Sequence, residues 1–258
     1  MTDHRVRRTR FDEVAELYDR ARPTYPVELI DDLVDLAGLR SGSRVLEVGC
    51  GTGKATLPLA ERGLRVTCVE LGDSLAAVAR RNLVRFDDVD IVVADFETWT
   101  PSQPGYDALV SFTAYHWIER DLRYVKAAEV LREGGALAIA MVHHVLPRDA
   151  DPFFVEAQAD YEAVGKGGDP PGPPDTVEAF GEEMAASLFF DLVAERRYQW
   201  DVEYTADEYL DVLNTYSDHR SWDDASRERF FDLVRARIGS RSIRKTYLAT
   251  LDVAFRAS

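Results

Sequence analysis

Apolar positions recur first at helical spacing and then in short continuous runs. Phe11, Val14, Ala15, Leu17 and Tyr18 share one face of a helix expected over residues 11–18, and Leu29, Ile30, Leu33 and Leu36 do the same over 27–36. Between them Pro23 and Pro26 push their preceding residues toward extended backbone and interrupt the helix. Ser41, Gly42 and Ser43 then turn the chain into an aliphatic run at 45–48, short enough and β-branched enough for a buried strand. Further strands are expected at 65–70, 89–94, 107–112 and 136–142. Helices alternate with them: 54–62, closed by Gly63 with Pro58 near its first turns; 74–83, with Asp73 as N-cap; and 122–131, stopped by Gly134 and Gly135. Such alternation gives a parallel, doubly wound sheet, and ligands on such sheets bind beyond the carboxyl ends of the strands. That rule singles out Gly49, Glu70, Asp95, Ser111 and His143.

After Leu146 the pattern changes. Helices are expected over 153–164 and 177–190, separated by a glycine- and proline-rich loop at 165–174. A strand at 193–204 leads to Thr205, which with Glu208 has the spacing of a capping box for a helix running to Tyr216. A helix over 222–238 and a final strand over 243–255 complete the chain. The expected fold is therefore α/β: a doubly wound, mostly parallel, seven-stranded Rossmann-like sheet with an N-terminal helical lid and a C-terminal helical cap. The expected divisions are 1–40 for the lid, 41–146 for the ligand-binding core, and 147–258 for the cap plus the last two strands of the same sheet.

Composition narrows the function classes. A chain of 258 residues with 46% hydrophobic content suffices for a full core. No run of eighteen apolar residues offers a membrane span, and the basic start, residues 1–10, has no apolar region after it, so a cytoplasmic protein is expected. The formal charge of −15 repels a phosphate backbone, which disfavours nucleic acid despite the local Arg5-Val6-Arg7-Arg8 patch. Cys50 and Cys68 fall in core segments and read as buried, reduced thiols.

The chemistry centres on residues 45–53, Val-Leu-Glu-Val-Gly-Cys-Gly-Thr-Gly, where an apolar strand ends in three alternate glycines and a helix follows. Glycines permit positive φ and place no Cβ between backbone and ligand. The dinucleotide fingerprint needs a third glycine or alanine that this loop lacks, since Lys54 or Thr56 stands there; no Gly-Lys-Ser/Thr closes a P-loop either. Glu47, just before the glycines, repels a pyrophosphate and suits a ligand carrying an ammonium and a sulfonium.

With Glu70 ending the second strand, Asp95-Phe96 after the third, residues 106–111 as the fourth, and Leu131-Arg132-Glu133-Gly134-Gly135 before the fifth, the chain resembles the class I S-adenosylmethionine-dependent methyltransferases over about residues 11–144. The resemblance implies S-adenosylmethionine as cofactor, with S-adenosylhomocysteine as product. It places Glu47, Gly49, Cys50, Gly51 and Gly53 against the methionine and ribose part, Glu70 and Leu71 at the ribose hydroxyls, and Asp95 and Phe96 at the adenine. Thr113 and Trp117 are further expected cofactor contacts. The segment 18–26, Tyr-Asp-Arg-Ala-Arg-Pro-Thr-Tyr-Pro, looks like the lid of small-molecule members, with Tyr18 and Arg22 at the methionine end.

Methyl transfer requires alignment above all, and a base only for some acceptors. His116, beyond the fourth strand, titrates in the useful range and is the candidate base or substrate anchor. Tyr25, Tyr115, His143, His144, Tyr216 and His219 are candidate substrate contacts. Adjacent histidines make a poor chelate, so no metal is expected. The Tyr-Asp-x-x-Arg-Pro and His-Trp elements are similar to those of the trans-aconitate methyltransferase-like group, which makes carboxyl O-methylation attractive, with hydroxyl or amine acceptors also open. Two other readings stand beside it: a nicotinamide-dependent oxidoreductase, and a non-catalytic S-adenosylmethionine-binding protein.

Overall fold

Strands β1 (Arg44–Val48), β2 (Arg65–Glu70), β3 (Val89–Val93), β4 (Tyr106–Phe112), β5 (Leu131–His144), β6 (Phe190–Tyr204) and β7 (Ile243–Arg256) form one seven-stranded sheet in the order β3-β2-β1-β4-β5-β7-β6. This is the arrangement in the computed structural model, which describes residues 12–257; Phe11 and the basic patch at 5–8 lie outside the described residues. β1 runs parallel to β2, with Val45 opposite Val66 and Val48 opposite Val69, and parallel to β4, with Leu46 opposite Leu109. β2 with β3 and β4 with β5 are parallel as well. Parallel strands buried on both faces need unbroken apolar runs, and Val45, Leu46, Leu109 and Val110 are all fully buried.

The helices are α1 (Ala15–Ala21), α2 (Val27–Leu36), α3 (Thr56–Glu61), α4 (Asp73–Asn82), α5 (Arg120–Val130), α6 (Phe153–Glu156), α7 (Gln158–Ala163), α8 (Gly181–Ala186), α9 (Ala206–Leu213), α10 (Ser217–Arg220) and α11 (Asp224–Ile238). Leu29, Ile30 and Leu33 form the buried stripe of α2. Pro58 is the third residue of α3, where its missing N–H is one the helix leaves unbonded anyway. Thr205 and Glu208 complete the expected capping box of α9, Thr205 N donating to Glu208 Oε2 at 2.8 Å.

The described chain divides into two compact units. One, the glycine-loop unit, contains residues 24–142, 178–198 and 249–257; the other, the aromatic unit, contains 12–23, 143–177 and 199–248. In the aromatic unit Phe153, Tyr161, Tyr209, Trp222 and Phe230 pack ring against ring, with Tyr161 and Phe230 centroids 4.3 Å apart.

Four local expectations need correction. Asp73 is the first residue of α4 and Gly72 its N-cap, so its carboxylate serves the positive helix end instead of capping an amide. Gly134 and Gly135 do not stop a helix: α5 ends at Val130, and the glycines lie inside β5. There the register with β4 slips from Tyr106–Leu131 to Ala108–Ala136, and a Cβ on Gly135 would stand 2.9 Å from Arg132 O. The helix expected over 177–190 is only α8, because β6 already begins at Phe190. The helix expected over 153–164 is two short ones, α6 and α7.

Candidate functional site

In the sheet order, β1 lies between β2 and β4, and the chain leaves it for β2 on one side while β4 flanks it on the other. This is the switch point at which doubly wound sheets open a crevice. Ser111 Oγ donates to Val48 O at 2.9 Å across β4 and β1, fixing the two strand ends beside each other. Gly49, the first residue past β1, has φ +74°, and a Cβ there would come within 2.4 Å of the Ala114 Cβ past β4. Gly51 and Gly53 also have positive φ, and a Cβ on Gly53 would meet Leu83 at 2.8 Å. All three glycines are therefore demanded by backbone shape.

Glu70 ends β2 and is buried. Its two carboxylate oxygens each accept a backbone amide at 2.9 Å, Oε2 from Gly51 N and Oε1 from Gly72 N. The carboxylate thus both braces the glycine loop and faces it. Leu71 follows, half-buried. Asp95, past β3, accepts from Glu97 N through Oδ1 at 3.1 Å, a local turn bond, and Phe96 is buried with the Lys126 ammonium 5.9 Å from its ring centre.

Glu47 is 1% exposed. Its Oε2 accepts from Thr56 Oγ1 at 2.7 Å and lies 3.9 Å from Cys68 Sγ, while Oε1 is buried with no hydrogen-bond partner among the described residues. Burial is the main cause that raises its pKa from 4.5 to about 7; the Thr56 bond opposes this and the charge of Glu70 adds to it. Cys50 and Cys68 are both free and buried. The Cys50 thiol is pushed well up, first by its hydrogen bond with Cys68 and then by burial, which makes it unreactive.

Past β4, Thr113 has φ +55°, an unusual conformation for a β-branched residue. Its amide donates to Ala140 O at 2.7 Å, and its hydroxyl accepts from Val142 N at 3.3 Å, so the strained turn is held from β5. The short 3-10 turn Tyr115–Trp117 follows, with the His116 and Trp117 rings 4.8 Å apart and both half-buried. Tyr25 packs on Phe112 at 4.9 Å. Tyr115 departs from its expected role as a substrate contact: it is fully buried and its hydroxyl donates to Arg123 O at 2.7 Å, so it belongs to the core.

The remaining candidates belong to the aromatic unit. The guanidinium of Arg22 lies 5.3 Å from the Tyr18 ring centre and 4.2 Å from that of Tyr216, and its Nε donates to Thr215 Oγ1 at 2.7 Å. His143 and His144 end β5; His144, and not His143, lines a cavity of about 490 Å³ together with Phe154, Tyr161, Tyr209, His219 and Trp222. His219 Nε2 is 3.1 Å from Tyr161 OH. Burial first, and then the charge of Lys245, push the His144 pKa down to about 2; the same causes in the same order, joined by Arg22, take His219 to about 3. Both imidazoles are therefore neutral throughout the physiological range.

Lys245 was missed from sequence. It is 1% exposed, donates to Tyr216 OH at 2.8 Å, and has the rings of Tyr209, Tyr216 and Tyr247 within 5.4 Å of its ammonium. The signal was present: in an alternating strand, Lys245 is in phase with Ile243, Tyr247 and Ala249, all buried.

Among the described residues, no helix is long and apolar enough to cross a membrane. A family model described as a methyltransferase domain matches residues 45–135. An uncharacterised methyltransferase of Mycobacterium tuberculosis is 32% identical over 203 residues, 73% of this chain and 76% of that protein. A trans-aconitate 2-methyltransferase of Mycobacterium ulcerans is 34% identical over 124 residues, 46% of this chain and 42% of its own length. A solved structure from Anaeromyxobacter dehalogenans, described as a candidate type II methyltransferase, superposes with a TM-score of 0.60 at 24% identity, covering 90% of this chain and 97% of that one.

Proposed function

The chain belongs to the class I S-adenosylmethionine-dependent methyltransferases, and from that premise we propose that it methylates an oxygen or nitrogen of a small-molecule acceptor, using the glycine-loop residues to hold the cofactor. The dinucleotide reading gives way to this membership. One observation carries the assignment of the cofactor site: the Glu70 carboxylate, tied to Gly51 N and Gly72 N at 2.9 Å, sits against a loop that turns past β1 on three positive-φ glycines. A carboxylate so placed suits a vicinal diol, and glycines let the loop backbone turn sharply beside it.

When bound, S-adenosylmethionine supplies a methyl group already activated by its sulfonium for in-line displacement. The protein's work is then binding and orientation. Gly49, Gly51 and Gly53 form the floor of the cradle; Glu70 and Leu71 hold the ribose; Asp95 and Phe96 hold the adenine. Thr113 and Trp117 shape the wall past β4. Glu47, facing Thr56 and Cys68, acts from beneath the loop as a carboxyl poised between its two protonation states. His116 holds or deprotonates the acceptor from the half-buried turn past β4, and alignment contributes the larger share of the rate, on the order of 7–11 kcal/mol. The similarity to a trans-aconitate 2-methyltransferase supports a carboxylate oxygen as the methyl-accepting atom. Tyr115 is left out of the site.

Calorimetric titration of the folded protein with S-adenosylhomocysteine, followed by incubation of a cell-extract metabolite pool with methyl-labelled cofactor, tests the proposal. Saturable binding and a labelled small molecule are expected. Absence of cofactor binding to folded protein rules the assignment out.

A further inference from the structure

Residues of the aromatic unit alone line the cavity of about 490 Å³, a volume usual for small-molecule sites. Its wall is a set of rings held by one another. Phe154 meets His144 at 4.4 Å and 70° and Tyr209 at 5.8 Å and 83°, while Trp222 meets Tyr161 at 86° and Phe230 at 72°. Edge-to-face packing of this kind fixes each ring by its neighbours, so the wall keeps its shape before anything enters and little ordering is left for binding to supply. Phe153, Ala157, Phe230 and Val234 add surface that offers water no hydrogen bond. A flat apolar molecule that displaces water from such a wall is favoured.

Charge is confined to the rim. Lys166, Asp169 and Asp218 line the cavity and all three are exposed. One ammonium, 5.9 Å from the Trp222 ring centre, stands against two carboxylates, so the rim has no net attraction for an anion. The other lining side chains are uncharged, His144 and His219 being neutral, and an ion carried in among them without a partner is costly. The positive field of Lys245 that keeps both imidazoles unprotonated also opposes a second cation beside them. An uncharged ligand remains.

His144 Nε2 and His219 Nδ1 are buried with no hydrogen-bond partner among the described residues. His219 is engaged through its other nitrogen, 3.1 Å from Tyr161 OH, which leaves His144 as the less committed imidazole. A neutral imidazole offers one donor and one acceptor, and a hydroxyl matches it because it can act as either.

We propose that this cavity is a binding site for an uncharged hydroxyarene, its ring against Phe154, Tyr161 and Trp222 and its hydroxyl on His144. The site belongs to the aromatic unit by itself and does not rest on the methyltransferase reading.

The test is calorimetric titration of the full chain with para-cresol, beside toluene, 4-methylcyclohexanol, para-toluate and para-methylbenzylamine, with and without saturating S-adenosylhomocysteine. Cresol is expected to bind saturably in both conditions and more tightly than the other four. His144→Phe keeps a ring against Phe154 and removes the hydrogen-bonding nitrogens; it should weaken cresol by about fivefold, the scale of one hydrogen bond, and leave toluene unchanged. A merely structural histidine would move both compounds alike. Gln158→Trp, which fills the cavity from its half-buried edge, should abolish cresol binding and keeps the proposal testable should His144→Phe fail to fold. The proposal is overturned if cresol does not bind, if the acid, the amine or the saturated alcohol equals it, or if Gln158→Trp binds it as the wild type does. Displacement of cresol by S-adenosylhomocysteine would also overturn it, since the site would then be the cofactor's. With methyl-labelled S-adenosylmethionine, label on the recovered cresol identifies the ligand as an acceptor and unlabelled cresol identifies it as a separate ligand; saturable, hydroxyl-dependent binding carries the proposal in both cases. Failure of the wild type to bind S-adenosylhomocysteine is a separate result and counts against the methyltransferase reading alone.

Discussion

Replacing Glu47 by glutamine should make the protein's stability less sensitive to alkaline pH, by an amount the structure sets. The carboxyl is 1% exposed, and its pKa rises from 4.5 in the unfolded chain to about 7 in the folded one, chiefly through burial. Between those values the native state holds a proton that the unfolded state has released, so stability is full below pH 4.5 and declines as pH climbs through 7. At about 1.4 kcal/mol per pH unit the loss amounts to about 3 kcal/mol, a large part of a typical domain's margin. Glutamine at position 47 keeps an oxygen to accept from Thr56 Oγ1 but cannot ionise. Its amide N–H groups also enter the place of Oε1, which has no partner, so a constant offset of about 1 kcal/mol in either direction is expected at every pH. The pH-dependent part is what matters. Urea unfolding followed by circular dichroism, on both proteins at about pH 5 and about pH 8.5, should show the variant gaining about 2.5 kcal/mol on the wild type between the two conditions. A stability difference that is the same at both pH values would show that Glu47 does not titrate as its burial requires.

Three further outcomes follow from the same cradle. Gly49→Ala forces a Cβ to 2.4 Å from Ala114 Cβ at φ +74°; it should cost roughly 1–3 kcal/mol in thermal unfolding and weaken S-adenosylhomocysteine binding, and an unchanged melting temperature would contradict the tight approach. Glu70→Gln removes the charge that Gly51 N and Gly72 N face; calorimetry should show cofactor affinity reduced by about tenfold to 100-fold, and unaltered affinity would take Glu70 out of the site. His116→Ala should lower turnover more than cofactor affinity, as measured by initial rates beside titration with S-adenosylhomocysteine; equal kinetics would remove His116 from the mechanism.

The first five strands were legible because short stretches rich in β-branched and apolar residues recur at 45–48, 65–70 and 107–112, which suits parallel strands buried on both faces. Gly134 and Gly135 misled because glycine punctuates helices and bulged strands alike, and only the pairing of Leu131 with Tyr106 shows that the strand has already begun. Glu47 was found by its position, yet its partners, Thr56 and Cys68, come from the following helix and the neighbouring strand, which no local pattern brings together. Lys245 escaped for a different reason. Doubly wound sheets bind ligands at strand carboxyl ends, whereas Lys245 lies near the amino end of β7. Two rules were in conflict at that position: strand parity assigned it to the buried face, and residue type assigned it to water. Where parity prevails over type, the fold accepts a desolvation cost that packing alone does not return. Glu47, an acid in phase with a buried strand, shows the same conflict with the opposite charge.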